Sequence, residues 1–300
     1  MNIKYKQLIY ISIIILILLL IRNIIINNNN IEKFEDKENI ELEIQPHEGG
    51  LFSNFNKLIY NLSYYNNVSK ITYNMISSKD NKPLYFINDN EELFSKLFET
   101  YDDGTIPSKK VTTQNYINYV ITGKSAYNLY NSNRNKLQPY HDTYIKYIKV
   151  HNHIEEKIHR KIIELKENCD QLICIFVRSE ALKKEQPSNK MPTREDYDNG
   201  IKDIPKSNNV KYFLCIDNND DLEYYKNKYT PNYFTNIRRT THKKDGEPHV
   251  NSIGSLEELE NSFIEVVLMS QCDILVHCVS NMATASLYMN MKQQSICVSK

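Results

Sequence analysis

Apolar residues run without a polar break from Leu172 to Val177, and the run stops at Arg178. A continuous apolar run of this length is typical of a strand that is covered on both faces, as in a parallel α/β sheet. Ligands of such sheets bind in the crevice at the carboxyl ends of the strands. The pattern therefore places Arg178, whose planar guanidinium can grip a phosphate or carboxylate, at a candidate binding edge. The alternative is that Arg178 begins a surface loop and makes a structural ion pair.

Strand and helix patterns alternate through the carboxyl-terminal half of the chain. Strand patterns lie at residues 210–216, near Tyr233, at 273–277 and at 294–298, and helix patterns start at 193 and cover 220–229, 255–271 and 282–291. Such alternation predicts an α/β fold with a doubly wound parallel sheet.

Four more polar residues join Arg178 as candidates. Asp217 ends one predicted strand, and Ser280 and Asn281 follow another, so the three are expected at the same edge of the sheet. Glu265 lies inside an apolar stretch of a predicted helix. A buried carboxylate costs several kcal/mol unless it is paired or hydrogen-bonded, so Glu265 needs a partner or a functional role.

The amino-terminal half offers a weaker candidate at Gly50. A stripe of apolar residues with helical spacing follows the Gly49-Gly50 pair, at Leu51, Phe55, Leu58, Ile59 and Leu62. A glycine turn that opens a helix lets an anion approach the backbone N–H groups at the positive helix end. The alternative is that the two glycines only form a tight turn.

The remaining patterns of this half predict strands at 70–75 and 83–87, a helix around 91–98, and one long helix from about His141 to Asn168. The four histidines of the long helix lack the spacing of a metal site, and we interpret them as solvated surface: His141, His151, His153 and His159. These elements predict an amino-terminal, acceptor-side subdomain over residues 46–165. The strand–helix alternation then forms a second, Rossmann-like subdomain over 166–300.

The first 45 residues predict a membrane anchor and a stem. Residues 8–26 form an apolar span of 19 residues that only Arg22 and Asn23 interrupt, near the ~20 residues that cross a bilayer. The alternative is a cleaved signal peptide, although no small-residue cleavage site follows. We expect a cytosolic tail at 1–7 and a polar stem at 27–45, and a type II membrane protein whose body faces the lumen of the endoplasmic reticulum or Golgi. Sequons for glycosylation then stand at Asn61 and Asn67.

Composition adds mainly exclusions. The 37 basic and 37 acidic residues cancel, so no overall charge attracts nucleic acid. The six cysteines show no metal-ligand spacing, and we interpret Cys174, Cys215 and Cys278 as small core residues.

The carboxyl-terminal half resembles the α-1,6-fucosyltransferases and the bacterial nodulation fucosyltransferases. The family's His-Val-Arg-Arg-Thr-Asp stretch looks like residues 176–180 here, and its strand ending in Ala-Thr-Asp-Asp is similar to residues 214–217. Its Leu-Ser-Gln-Ala-Asp-Phe-Leu-Val segment, which follows an acidic residue and precedes a Ser-Ser pair, matches residues 269–276 between Glu265 and Ser280-Asn281. Residues 50–60 look loosely like the family's glycine-rich turn and helix.

The resemblance implies a B-type glycosyltransferase with two Rossmann-like subdomains, a GDP-fucose donor, a glycan or glycoprotein acceptor and no metal cofactor. By analogy, Arg178 binds the β-phosphate and stabilises the departing GDP, and Glu265 and Asp217 hold the nucleoside. Ser280, with Asn281 beside it, contacts the pyrophosphate. The family's candidate base lies about eight residues past the arginine, where Glu185 stands. Fixed cations and helix N-termini would then neutralise the charge that builds on the leaving phosphate.

Two departures from the family leave alternatives open. Phe176 stands where the family has a histidine, and Ser179 where it has a second arginine. One alternative is therefore a membrane-anchored carbohydrate- or nucleotide-binding protein that keeps the fold without catalysis. Another is a metal-dependent A-type transferase, for which Asp196 and Asp198 would form the metal motif.

Overall fold

The computed structural model describes residues 38–45, 50–65, 67–75, 92–113, 134–178, 192–216, 218–235 and 256–299. Its elements in chain order are β1 (Ile40–Ile44), α1 (Leu51–Tyr64), β2 (Val68–Tyr73), β3 (Lys109–Thr112), α2 (Gln138–Tyr147), α3 (Asn152–Lys166), β4 (Gln171–Val177), α4 (Arg194–Lys202), β5 (Val210–Ile216), α5 (Asn219–Tyr229), β6 (Tyr233–Thr235), α6 (Leu256–Ser270), β7 (Ile274–His277), α7 (Asn281–Met289) and β8 (Gln294–Cys297). Short 3-10 helices cover Phe94–Lys96 and Arg134–Leu137.

Among the described residues, five parallel strands form the larger sheet, in the order β6-β5-β4-β7-β8. The chain moves outward from β4 through β5 to β6, and then returns to the other side of β4 at β7. This is the doubly wound arrangement that the sequence predicts, and the order reverses between β4 and β7.

Both faces of β4 are buried, which explains its unbroken apolar run. Ile173, Ile175 and Val177 pack in one cluster with residues of α4 and α5. Their neighbours on the opposite face, among them Cys174 and Phe176, pack in a second cluster with residues of α6 and α7. Since side chains alternate between the faces of a strand, a sheet covered by helices on both sides needs apolar residues at every position.

In the described part of the chain, three parallel strands form the smaller sheet, in the order β2-β1-β3. Its central strand, β1, lies inside the segment predicted as a polar stem, so that prediction is wrong for residues 40–44. Leu42 and Ile44 are fully buried, whereas Glu41 and Glu43 are only partly buried and lie within ion-pair distance of Lys110. Apolar residues alternate with Glu41 and Glu43 in this strand, which has one apolar face, and the acidic residues made the segment look like a polar stem.

The long helix predicted from His141 to Asn168 is two helices, α2 and α3. The chain between them is extended at Ile148, and Val150 pairs with Phe98. The Glu99 N–H donates to the Lys149 carbonyl at 2.8 Å, and the His151 N–H donates to the Leu97 carbonyl at 3.1 Å. Pairing with a distant segment therefore replaces the helical hydrogen bonds. The helix predicted around 91–98 is only the 3-10 turn at Phe94–Lys96.

One hydrophobic cluster joins the smaller sheet, helices α1 to α3 and one face of the larger sheet. Phe55 and Phe98 of the amino-terminal half lie with ring centroids 6.0 and 5.1 Å from that of Phe263 in α6. The described residues from Ile40 onward thus belong to one compact unit. The division into subdomains at 46–165 and 166–300 stays a prediction.

The predicted features that lie outside the described residues include the anchor at 8–26 and the strand at 83–87. Within the part of the chain that is described, no helix combines the length and apolar character that a membrane span requires. Asn61 of the first sequon is buried in α1, where its side-chain amide donates to the Lys57 carbonyl at 2.8 Å. The folded chain therefore does not offer Asn61 for modification.

Candidate functional site

The candidate site lies at the carboxyl ends of β4 and β7, where the strand order reverses. Phe176 pairs with His277 in the sheet, so Arg178 and Val279 lie just beyond the same edge. Arg178 is half-buried directly after β4, as the sequence predicts. A crevice opens at such a point because the chains leaving the two central strands turn to opposite faces of the sheet.

Ser280 caps the helix that follows β7. Its Oγ accepts a hydrogen bond from the Met282 N–H at 3.1 Å, and it is buried. The Thr284 hydroxyl donates to the Ser280 carbonyl at 3.0 Å, which tightens the first turn of α7. The amino terminus of α7, with its positive dipole end, therefore lies at the same edge as Arg178.

Asn281 is tied to α1 as well as beginning α7. The Asn56 side-chain amide donates to the main-chain carbonyl of Asn281 at 3.0 Å and to its Oδ1 at 3.2 Å. The Tyr288 hydroxyl in turn donates to Asn56 Oδ1 at 2.9 Å. The predicted binding residue Asn281 thus joins α7 to α1. Sequence reasoning missed Asn56, although a polar residue beside an apolar helical stripe was a usable signal.

Gly50 is the N-cap of α1, which confirms the predicted helix start. Its φ of −66° and ψ of 177° are ordinary extended values, so the backbone at Gly50 does not require glycine. Its carbonyl accepts from the Ser53 N–H at 3.0 Å and from the Asn54 N–H at 3.1 Å.

Lys57 is a buried cation of α1 that sequence reasoning also missed. It is 1% exposed, and its Nζ donates to the carbonyl of Gln45, directly after β1, at 3.2 Å. The Gln45 N–H donates to Thr113 Oγ1 at 3.1 Å. Burial lowers the pKa of the Lys57 amine. The sequence did offer a signal, because Lys57 lies among the apolar residues of the helix. Like Glu265, a charged side chain in such a position needs a partner or a functional role.

Glu265 is buried in α6, as predicted. It lies near Cys174, in the middle of β4: burial is the largest cause that raises the pKa of the Cys174 thiol, and the charge of Glu265 is one of the smaller ones. Cys174 Sγ is 3.8 Å from Cys215 Sγ, and both cysteines and Cys278 are buried core residues, as predicted.

His277, the last residue of β7, is fully buried and was not among the predicted site residues. Its Nδ1–H donates to the Cys278 carbonyl at 2.8 Å, so its Nε2 accepts from the Ser295 hydroxyl at 2.8 Å. Burial lowers the pKa of His277 from 6.5 to about 4, and the nearby positive charge of Arg134 adds to this. His277 is therefore a neutral support for the end of β7.

The two remaining predicted site residues, Asp217 and Glu185, lie outside the described residues. Their roles stay predictions.

The carboxylates proposed for an A-type metal motif are engaged elsewhere. Asp196 accepts from the N–H and hydroxyl of Thr193 at 2.8 and 2.9 Å, as the N3 residue of a capping box. Asp198 pairs with Lys228 at 2.7 Å and accepts from the Tyr224 hydroxyl at 2.7 Å. Within the described ranges, no group of three or more His, Cys, Asp or Glu side chains is arranged to hold a metal ion.

The histidines interpreted as solvated surface make specific contacts in three of four cases. The His141 Nδ1–H donates to the Tyr288 carbonyl at 2.7 Å, and the His151 ring contacts the Ser95 carbonyl at 2.8 Å. His153 lies 3.2 Å from Glu260, a buried carboxylate of α6 that also pairs with Lys157. The interpretation was wrong for His141 and His151, which are partly buried against partners from distant parts of the chain, whereas His153 and His159 are exposed as predicted.

Solved structures of fucosyltransferases match most of the chain. NodZ α-1,6-fucosyltransferase soaked with GDP-fucose is 12% identical, with a TM-score of 0.49, over 84% of this chain and 93% of that chain. NodZ from Bradyrhizobium is 13% identical, with a TM-score of 0.49, over 84% and 91%. POFUT1 in complex with GDP is 12% identical, with a TM-score of 0.49, over 88% and 99%. NodZ belongs to the family that the carboxyl-terminal half of the sequence resembles. No family model and no curated protein matches the chain.

Proposed function

We propose that the chain is a B-type glycosyltransferase that moves fucose, with inversion, from GDP-fucose to a glycan or glycoprotein acceptor. The observation that carries this proposal is the pairing of two positive groups at one edge of a doubly wound sheet. Arg178 follows β4, the amino terminus of α7 follows β7, and the strand order reverses between them. The donor comes from the sequence resemblance, which the residues around Arg178 and Ser280 carry.

Arg178 has the chemistry that the leaving group requires. Negative charge builds on the β-phosphate as the bond to the sugar breaks, while the sugar becomes oxocarbenium-like. A guanidinium can hold two phosphate oxygens at once in a fixed plane, and it stays charged at any physiological pH. Arg178 would therefore bind the departing GDP more tightly in the transition state than in the bound donor.

The amino terminus of α7 would contribute a second positive field. The first N–H groups of a helix have no acceptor within the helix, and the aligned peptide dipoles place roughly half a positive charge there. Ser280 holds this first turn in shape by accepting from the Met282 N–H. In this proposal Ser280 and the α7 amides bind the pyrophosphate, Asp217 and Glu265 hold the nucleoside, and no divalent ion takes part.

Acceptor activation would require a general base, and Glu185 is our candidate. The resemblance places the family's base about eight residues beyond the arginine, in the segment where Glu185 stands. A carboxylate there would take the proton of the acceptor hydroxyl as it attacks the sugar.

One observation favours a second function, nucleotide or carbohydrate binding without catalysis. Phe176 occupies the position of the family's histidine, and it is 3% exposed within the core cluster that contains Cys174. This position therefore supplies an apolar ring to the core, and no imidazole to the crevice.

Calorimetry with GDP, GDP-fucose, UDP and their other sugar conjugates would separate these functions, followed by assays of transfer and donor hydrolysis in excess EDTA. We expect GDP and GDP-fucose to bind preferentially and turnover to persist in EDTA. GDP binding without turnover would favour the binding protein. Turnover that EDTA abolishes and manganese restores would contradict the metal-free proposal. Absence of nucleotide binding would overturn both the transferase and the nucleotide-binding protein.

We also propose that residues 8–26 anchor the chain and that the body faces the lumen, on the basis of the apolar span and its flanking charges. Protease treatment of intact microsomes should then leave the body protected. Digestion of the body without detergent would contradict this topology.

A further inference from the structure

A cation from the amino-terminal half holds the carboxyl end of α7. The Arg134 guanidinium donates through Nη1 to the Gln293 carbonyl at 2.6 Å. Through Nη2 it reaches the carbonyls of Leu287 and Asn290, both at 3.2 Å, and of Met291 at 3.3 Å. Arg134 thus binds the last turn of α7 and the turn that leads to β8.

These contacts meet the electrostatic needs of a helix end. The last four carbonyls of a helix have no partner within the helix, and they carry the negative end of its dipole. Arg134 supplies both hydrogen bonds and a positive charge. His141 adds its bond to the Tyr288 carbonyl, so side chains from one distant segment bind four of the five carbonyls from residue 287 to residue 291.

The other end of α7 is held by the same half of the molecule, since Asn56 donates to Asn281. The helix has nine residues and is therefore only ~13 Å long. A short helix moves as a rigid rod, so a displacement of its carboxyl end also shifts or tilts the amino terminus at the candidate edge.

We propose that Arg134 is a positioning residue for the diphosphate of the donor, acting through α7. It fixes the carboxyl end of the helix, so that Ser280 and the first amides stand where the phosphates bind. The inference rests on the proposed function, because it assigns a further residue to the same site. A role confined to stability would change the unfolding temperature without changing the GDP affinity of the folded protein.

Lys211 offers a matched control. Its Nζ donates to the carbonyls of Glu164 and Glu167 at 2.8 and 3.3 Å, so it binds the carboxyl end of α3, a helix without candidate site residues. Arg134→Met and Lys211→Met each remove a cation from a helix end and keep an unbranched apolar stem. Arg134→Lys keeps the charge, but one ammonium cannot reproduce the fork that spans these carbonyls.

GDP affinity would be measured by calorimetry well below the unfolding temperature of each variant. We expect Arg134→Met to bind GDP roughly tenfold more weakly, the equivalent of ~1.4 kcal/mol, with Arg134→Lys between it and the original protein. Lys211→Met should lower the unfolding temperature and leave the affinity unchanged. An Arg134→Met protein that binds GDP with the original affinity would overturn the inference; if that variant does not fold, unchanged affinity in Arg134→Lys would do the same.

Hydrogen exchange without nucleotide separates this inference from the proposed function. The amides of residues 284–289 in α7 should exchange faster in Arg134→Lys than in the original protein, whereas Lys211→Met should leave them unchanged. Unchanged exchange in Arg134→Lys would overturn the positioning role. An original protein that binds no GDP, together with faster exchange in Arg134→Lys, would overturn the proposed function and leave only the link between Arg134 and α7.

Discussion

Arg178 owes its predicted importance to its geometry as well as its charge. Arg178→Lys keeps the positive charge but loses the planar fork, so we expect turnover to fall by roughly 10² to 10³, or ~3 kcal/mol of transition-state stabilisation. Because Arg178 is only half-buried at a strand end, the free energy of unfolding should change by about 0.5 kcal/mol. GDP release from GDP-fucose and thermal unfolding would be measured on both proteins.

Arg160→Lys is the control for this substitution. Arg160 is exposed on α3, and its Nε donates to the Glu156 carbonyl of the same helix at 3.4 Å. Turnover of this variant should equal that of the original protein. If Arg178→Lys also kept full turnover, Arg178 would be a structural ion-pair residue and the proposed site would be wrong.

His277 predicts a specific loss of stability in acid. Above pH 6.5 its imidazole is neutral in both the folded and the unfolded chain; below that pH the unfolded chain takes up a proton, which the folded chain resists until about pH 4. Stability is therefore lost as the pH falls through this window, by ~3 kcal/mol at most. Urea unfolding between pH 7 and pH 4 should show a shallower decline for His277→Gln. If the free energy of unfolding declined equally with pH in the two proteins, His277 would not be the source of this acid sensitivity.

Residue chemistry was readable from the sequence where a side chain conflicted with its local pattern. Arg178 stood out because it ends an apolar run, and Glu265 because it interrupts one. Arg134 lies in a polar segment and Asn56 beside an apolar helical stripe, but the partners of both are more than 150 positions away. No local pattern could reveal these two contacts.

At the scale of elements, the two N-caps Ser280 and Thr193 allow a paired test. Each accepts a hydrogen bond from the backbone of its own helix, so Ser280→Ala and Thr193→Ala should each cost about 1 kcal/mol of stability. Only Ser280→Ala disturbs the proposed phosphate site, so only it should weaken GDP binding. Thermal unfolding and calorimetry on both variants would check this. Equal GDP affinity in both would remove the α7 amino terminus from the site.

Elements were predicted best where burial is two-sided. Strands β4 and β5 match the predicted apolar runs. Helices cover both of their faces, so nearly every position is buried and apolar. The break between α2 and α3 was missed, since residues 148–151 continue an apolar spacing that suits a helix. The helix breaks because the backbone there forms hydrogen bonds with residues 97–99, and these bonds exist only in the folded chain.

At the scale of the whole molecule, we predict that the folded body needs β1, the central strand of the smaller sheet. A chain that starts at residue 46 lacks the central strand of the smaller sheet and the buried side chains of Leu42 and Ile44. We expect it to lose cooperative unfolding and to aggregate, whereas a chain that starts at residue 38 should unfold in one transition. Circular dichroism on heating and size-exclusion chromatography would compare the two. Equal behaviour would show that β1 is dispensable.

The sequence by itself determined the doubly wound sheet from β4 to β8 and the positions of Arg178 and Ser280 at its edge, because strand, helix and exit residues follow local patterns of burial. Only the tertiary structure decided that β1 is a strand between β2 and β3, that α2 and α3 are separate, and that Asn56 and Arg134 hold the two ends of α7. Each of these depends on a partner distant in the chain, and the free energy of such a contact exists only once folding has brought both segments together.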